Sequence, residues 1–282
     1  MRVISRKKGA PRSAKIENKR RHRSHSQGKL TVVGIGPGSL DLLTLRAKMA
    51  IEKSSVIAGY KTYIALLGKL SKGKELISTG MTHEMERARQ AIEKAKEGYQ
   101  VCLISSGDPG VYGMAGLVLE LLKEDATLEV EIIPGVMASS GSAAILGAPL
   151  MHDFAVISLS DLLTDLKLIE ERVKAAAKAD FVIALYNPKS TKRTEPFKRA
   201  WQILMNYKSP QTPVGIVRNC EREKQEVSIT TLKDMLTYEP IDMVTTIIVG
   251  NSQTYVKGKY LITPRGYSIR RQNLHSPLTN FR

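Results

Sequence analysis

Between residues 29 and 147 the chain alternates short runs rich in Val, Ile and Leu with longer stretches whose apolar residues recur at helical spacing. The runs at 30–35, 56–58, 76–78, 101–104 and 129–133 are predicted strands, bounded as they are by Gly, Ser or charged residues. Helical patterns lie between them. One covers 42–53; another starts after Thr82, a candidate N-cap with Glu84 and Glu86 favouring the positive helix end, and stops near Gly98. His83 falls at the start of that helix. Such alternation predicts a parallel sheet of βαβ units. A second alternating region follows, with strands expected at 155–158, 181–185, 214–217, 226–229 and 246–249 and helices at 166–178 and 195–207. The fold class is therefore α/β, as two α/β domains joined near Gly147-Ala148-Pro149. The expected divisions are a basic extension (1–28), an N-terminal domain (29–147), a C-terminal domain (148–267) and a tail (268–282).

Composition narrows this little. With 282 residues, 42% of them apolar, the chain can bury a sizeable core. Its longest apolar stretches reach about half of the roughly 20 residues a spanning helix needs, so no membrane segment is expected. Two cysteines, Cys102 in a predicted strand and Cys220 just after one, suit a reducing compartment such as the cytoplasm and read as buried structural thiols.

Charge is concentrated at the ends. Of a formal +16, residues 1–28 hold ten Lys/Arg against one Glu, and residues 265–282 hold four Arg and no acid. The extension lacks aromatics and apolar periodicity and is expected to be disordered. A nucleic-acid or anionic-surface arm fits its charge, but low aromatic content argues against nucleic acid as the main partner, and a solvated extension without a specific partner is the preferred reading. A transit peptide would share its Arg/Ser content but would form an amphipathic helix, and no apolar run follows to make a secretory signal.

Three loops of small residues carry the candidate chemistry. The first, GIGPG at 34–38, follows the first strand but fails the dinucleotide fingerprint: Ser39 stands where a glycine is needed, Pro37 removes an N–H, and the second strand ends in Ala58-Gly59-Tyr60 rather than an acid. A tight turn without ligand is the alternative. The second, SGDPGVYG at 106–113, follows the fourth strand. The third, Pro134-Gly135-Val136 and then Met137-Ala138-Ser139-Ser140-Gly141, turns a strand into a helix, where small residues serve either close packing or ligand approach. Three such loops at carboxyl ends of strands outline a crevice for an adenosine-type ligand held by backbone groups. No phosphate-loop, nucleophile-elbow or zincin motif occurs, and with five histidines, two of them in the extension, no metal site is expected.

Taken in order, these loops resemble the tetrapyrrole methylase family, S-adenosylmethionine-dependent enzymes of corrin and sirohaem biosynthesis, from Lys29 to Tyr267. GYKTY (59–63), MHDF (151–154), LYNP (185–188), GIVRN (215–219) and GNSQTY (250–255) resemble the branch that methylates C17 of precorrin-3B or cobalt-factor III with ring contraction in cobalamin biosynthesis. The resemblance implies an active site in a cleft between the two domains, a homodimer, and a donor held by Pro37, Gly107, Asp108, Tyr112, Met137, Ala138, Tyr186 and Asn187. Family relatives often have Ser or Thr where Met137 stands, so only the backbone contact carries over there. Any cobalt would belong to the macrocycle.

An acceptor rimmed with carboxylates calls for cations, for which Lys189, Arg193 and Arg218 are the candidates, with Arg265 a further one and Lys192 read as a surface charge. For proton transfer during ring contraction the candidates are Asp108 and His152. Each has a structural alternative: an Asx-type turn for Asp108, and a pair with Asp153 for His152. Two other readings stay open, a methylase for another position of a corrin or sirohaem precursor and a non-catalytic ligand- or nucleic-acid-binding protein.

Overall fold

Strand β1 (Lys29–Gly34) lies between β4 (Gln100–Ser105) and β5 (Glu129–Ile133), parallel to both. Beyond β4 come β2 (Val56–Tyr60) and β3 (Glu75–Thr79), giving a five-stranded parallel sheet of order β3-β2-β4-β1-β5. This is a computed structural model, and it describes residues 28–122 and 128–267. Residues 1–27 and 268–282, with the expectations attached to them, lie outside the described residues.

Parallel strands need crossovers, and helices α1 (Leu45–Lys53), α2 (Lys61–Leu66), α3 (Glu84–Lys96) and α4 (Ala115–Leu122) supply them. Alternation along each strand divides the core. Leu30, Val32, Val101 and Leu103 pack with Ala88, Ala91 and Ala95 of α3, while Val33, Ile57, Cys102 and Ile104 pack with Ala47 and Ile51 of α1. Two helix starts differ from expectation. The pattern at 42–53 begins as a 3₁₀ turn (Leu40–Leu42), and α1 starts only after Thr44, whose Oγ1 accepts from the Ala47 N–H. Thr82 is not the N-cap of α3; that place belongs to His83, while Thr82 sits at φ 67° and donates its N–H to Glu84 Oε1.

Helix α5 (Ala138–Leu146) follows β5 and leads into β6 (Gly147–Ala148). The second five-stranded sheet has the order β10-β9-β11-β8-β7. Its strands are β7 (Phe154–Ser158), β8 (Val182–Tyr186), β9 (Pro213–Arg218), β10 (Glu226–Thr231) and β11 (Thr245–Val249). Only β7 and β8, joined through α6 (Leu166–Lys178), run parallel; the other neighbours are antiparallel. Helix α7 (Glu195–Tyr207) joins α6 on one face, where Ile169, Val173, Phe197 and Leu204 cover Ile183, Leu185, Ile216 and Ile247. The other face, Val182, Ala184, Val217 and Ile248, packs on Ala143 and Leu146 of α5. Thus α5, which precedes the expected boundary at 147, is the apolar joint between the two sheets.

A small sheet missing from the expected pattern joins β6 to β13 (Tyr260–Ile262) and β12 (Tyr255–Lys257). Among the described residues no helix is long and apolar enough to cross a membrane.

Candidate functional site

The three small-residue loops touch one another at the carboxyl end of the parallel sheet. Gly36 and Gly107 form an isolated antiparallel bridge, Gly107 N–H donating to Gly36 O at 2.8 Å and Gly36 N–H to Gly107 O at 3.2 Å. Both take positive φ, 73° and 68°, a region open to glycine without strain. Gly34 and Gly135 approach still closer: a Cβ on Gly135 would lie 2.3 Å from Gly107 O, and one on Gly34 would lie 2.6 Å from Gly135 N. These glycines serve loop-to-loop contact. Asp108 completes the stitching, its Oδ1 accepting from Gly110 N–H (2.8 Å) and its Oδ2 from Gly135 N–H (3.0 Å). The first bond is the Asx turn expected of a Gly-Asp-Pro sequence; the second ties the loop after β4 to the loop after β5.

Above these loops lies a cleft whose other wall comes from the second sheet. Pro37, Gly107, Asp108, Tyr112, Met137 and Ala138 line the first side, and Tyr186 and Asn187, at the end of β8, line the opposite one. All eight residues named for the donor therefore border one cleft. Polar bonds close it across the gap. Tyr112 OH donates to Val156 O (3.1 Å) and accepts from Ser158 N–H (3.2 Å), while Tyr186 OH accepts from Ser139 N–H (2.7 Å) in the first turn of α5. Burial pushes the Tyr186 phenol above its ordinary value, with Ser139 opposing, so it stays neutral. Ala138 begins α5, and the N–H of a first helical residue has no partner within its helix, leaving a backbone donor at the cleft wall.

The remaining candidates stand elsewhere. Arg193 donates to Leu159 O (2.6 Å) and Asn187 O (2.9 Å), so it braces the turn that carries Asn187 at φ 51°. Arg218 pairs with Asp242 (2.8 Å) and Glu226 (3.1 Å); Asp242 in turn caps the 243–245 segment beside the cleft. Lys189 pairs with Glu239 at 2.5 Å. Lys192 and Arg265 are exposed. His152 is exposed away from the cleft lining, its Nδ1 accepting from the Asp153 N–H at 2.8 Å.

Sequence reasoning gave no cleft role to Tyr63, Cys220, Arg222 or the segment from Met243 to Thr246, all of which line it. Tyr63 lay in plain view in the GYKTY stretch. Cys220 was expected to be buried and is; burial raises its thiol pKa, so it sits in the wall as a neutral thiol. Among the described residues no three His, Cys, Asp or Glu side chains group as metal ligands.

The sequence matches the family model for Tetrapyrrole (Corrin/Porphyrin) Methylases over residues 29–236. It is 52% identical over 246 residues to the cobalt-factor III methyltransferase of Priestia megaterium, covering 86% of this chain and 45% of that longer protein. It is also 52% identical over 241 residues to the probable cobalt-factor III C(17)-methyltransferase of Salmonella typhimurium strain LT2, covering 85% of this chain and all of the other. Among solved structures the methyltransferase CobJ superposes with a TM-score of 0.79 at 38% identity, covering 84% of this chain and all of CobJ. The chain thus spans just under half of the Priestia relative and the full length of the other two.

Proposed function

Because this chain belongs to the tetrapyrrole (corrin/porphyrin) methylase family, we propose that it transfers a methyl group from S-adenosylmethionine to C17 of cobalt-factor III, with ring contraction, in cobalamin biosynthesis. The observation that carries this reading is the meeting of eight donor-pattern residues, drawn from both sheets, around one cleft. Two relatives half identical to the chain, both named for cobalt-factor III, support the choice of acceptor.

The residues present fit such a donor. Gly107, at φ 68°, leaves the cleft floor without a side chain, and the wall offers an N–H at the start of α5 and the side chain of Asn187. The donor supplies an activated methyl that leaves sulfur as a neutral thioether when a carbon nucleophile takes it. That chemistry asks the protein mainly for alignment, which can contribute up to roughly 7–11 kcal/mol in favourable cases.

The loops are built for it. Gly36–Gly107 pairing and the Asp108 bonds fix the first two loops to the third, and Tyr186 fixes the start of α5. We assign Asp108 a positioning role in this reaction, since each of its oxygens already accepts a backbone N–H. Arg193 positions Asn187 from behind. Cys220 is a nucleophile beside an electrophilic methyl, and burial protects it by keeping it protonated. The same reading carries a cytoplasmic homodimer.

Incubation with methyl-labelled S-adenosylmethionine and cobalt-factor III, followed by mass and NMR location of the label, should place it on C17, and the preparation should sediment as a dimer. Label on another ring carbon would retain the family and overturn the C17 assignment. Absence of transfer would overturn the function.

A further inference from the structure

Arg222 belongs to the hairpin loop between β9 and β10. Three non-glycine residues of that loop, Asn219, Glu221 and Lys224, take positive φ of 51°, 56° and 58°. Strained backbone persists where the surroundings hold it, and it gathers at working sites. Here Asn219 Nδ2 donates to Lys224 O, Glu221 N–H to Gln225 Oε1, and Arg222 N–H to Asn219 O. The loop presses on the first donor loop so tightly that a Cβ on Gly38 would lie 2.4 Å from both Arg222 Cγ and Glu221 O.

From this base the guanidinium spans the cleft. Its Nε donates to Pro37 O (2.7 Å), its Nη2 to Ser106 Oγ (2.8 Å), and it stands 5.8 Å from the centre of the Tyr63 ring. Those bonds use one side of the planar fork. Nη1 donates to none of the described residues, and no described carboxylate lies at ion-pair distance from Arg222. Among the described residues lining the cleft Arg222 is the sole cation, and Asp108, the sole acid, has both oxygens on backbone N–H groups. A half-buried guanidinium fixed on one side, with the end of its fork unpaired and no counter-charge, is a receptor for a planar anion.

We infer that Arg222 binds a carboxylate of a ligand held in the cleft. This rests on the methyl-transfer reading, which offers two sources of that group: the amino-acid carboxylate of the donor, or an acetate or propionate on the rim of the acceptor.

The test compares the parent with Arg222→Gln and Arg222→Lys after thermal melting has checked their folding. Calorimetry reads the affinity for S-adenosylhomocysteine and for 5′-methylthioadenosine, which lacks the amino-acid carboxylate; steady-state assays read KM and kcat for cobalt-factor III. If the donor carboxylate is bound, Arg222→Gln weakens S-adenosylhomocysteine by roughly 10-fold or more, Arg222→Lys restores part of it, and methylthioadenosine stays within about 2-fold. If the acceptor carboxylate is bound, both adenosine ligands bind as in the parent, while KM for cobalt-factor III rises roughly 10-fold or more with kcat within about 3-fold. Equal weakening of both adenosine ligands would make Arg222 a latch alone and overturn the inference, as would unchanged affinities together with an unchanged KM. A parent that binds S-adenosylhomocysteine but moves no methyl to the corrinoid overturns the functional reading instead. Arg222 is then judged on the two adenosine titrations, where parent-like binding of both overturns the inference.

Discussion

Asp108 shows how a side chain lining the cleft can hold its walls together. Its two oxygens hold Gly110 in its own loop and Gly135 in the next. Asn in its place would have one carbonyl oxygen for two N–H groups and would turn an NH₂ toward a donor. Asp108→Asn is expected to weaken S-adenosylhomocysteine binding by about 1–3 kcal/mol, roughly 5- to 150-fold. Parent-like affinity by calorimetry would remove Asp108 from the site's architecture. The loops containing it could be read from the chain because small residues clustered where strands ended. Arg222 could not. It sits in a run of alternating charge, Glu221-Arg222-Glu223-Lys224, that looks like solvated surface, and its partners lie more than a hundred residues away. The cations that did stand out, Arg193 and Arg218, are committed to backbone carbonyls and to carboxylates.

At the scale of elements, the ten strands of the two large sheets were legible from their apolar runs, and α6 and α7 from their helical spacing. The direction of strands in the second sheet was not spelled out by those runs. The clue lay in the connections: β9 ends at Arg218 and β10 starts at Glu226, too short a link for a crossover helix, so the pair must be antiparallel. Strands β6, β12 and β13 have two or three residues each, too few to show a period.

Asp180 illustrates how these elements are fastened. It follows α6 and accepts from Ser252 N–H (3.0 Å) and Ser252 Oγ (2.6 Å), with Lys208, buried at the end of α7, at 3.4 Å. Burial alone would raise its pKa, but the Ser252 bonds and the Lys208 charge outweigh that and hold it below the usual carboxylate value. Its contribution to stability is therefore present above the unfolded-state pKa of about 3.9 and is lost as pH falls through the lower folded value. Asp180→Asn should cost about 1–3 kcal/mol at pH 7 after allowance for solvent screening, with the gap from the parent closing below about pH 4. Urea melts showing a constant gap from pH 7 to pH 3 would contradict this.

Over the whole molecule, the two sheets are held together by the apolar face of α5 and by Tyr112, Tyr186 and Arg222 reaching across the cleft. Tyr112 is the most exposed of these, at 60%, so its hydroxyl contributes little to the core. Tyr112→Phe should leave the melting temperature near that of the parent and weaken S-adenosylhomocysteine by about 3- to 10-fold, because Val156 O and Ser158 N–H lose their shared partner. A lowered melting temperature with unchanged affinity would show that the bond serves folding rather than the cleft.

The contact among Gly34, Gly107 and Gly135 bears on how such an enzyme can be altered. No side chain fits at Gly34 or Gly135, whose backbones press on each other and on the Gly107 carbonyl, so the three loops are packed as one part and a side chain at either position would push on its neighbours. Retargeting the enzyme to a new macrocycle is therefore a task for the opposite wall. There the segment around Met243 can be redrawn, while the β9–β10 hairpin, whose Arg222 is bonded to both the Pro37 and the Ser106 loops, is kept with them.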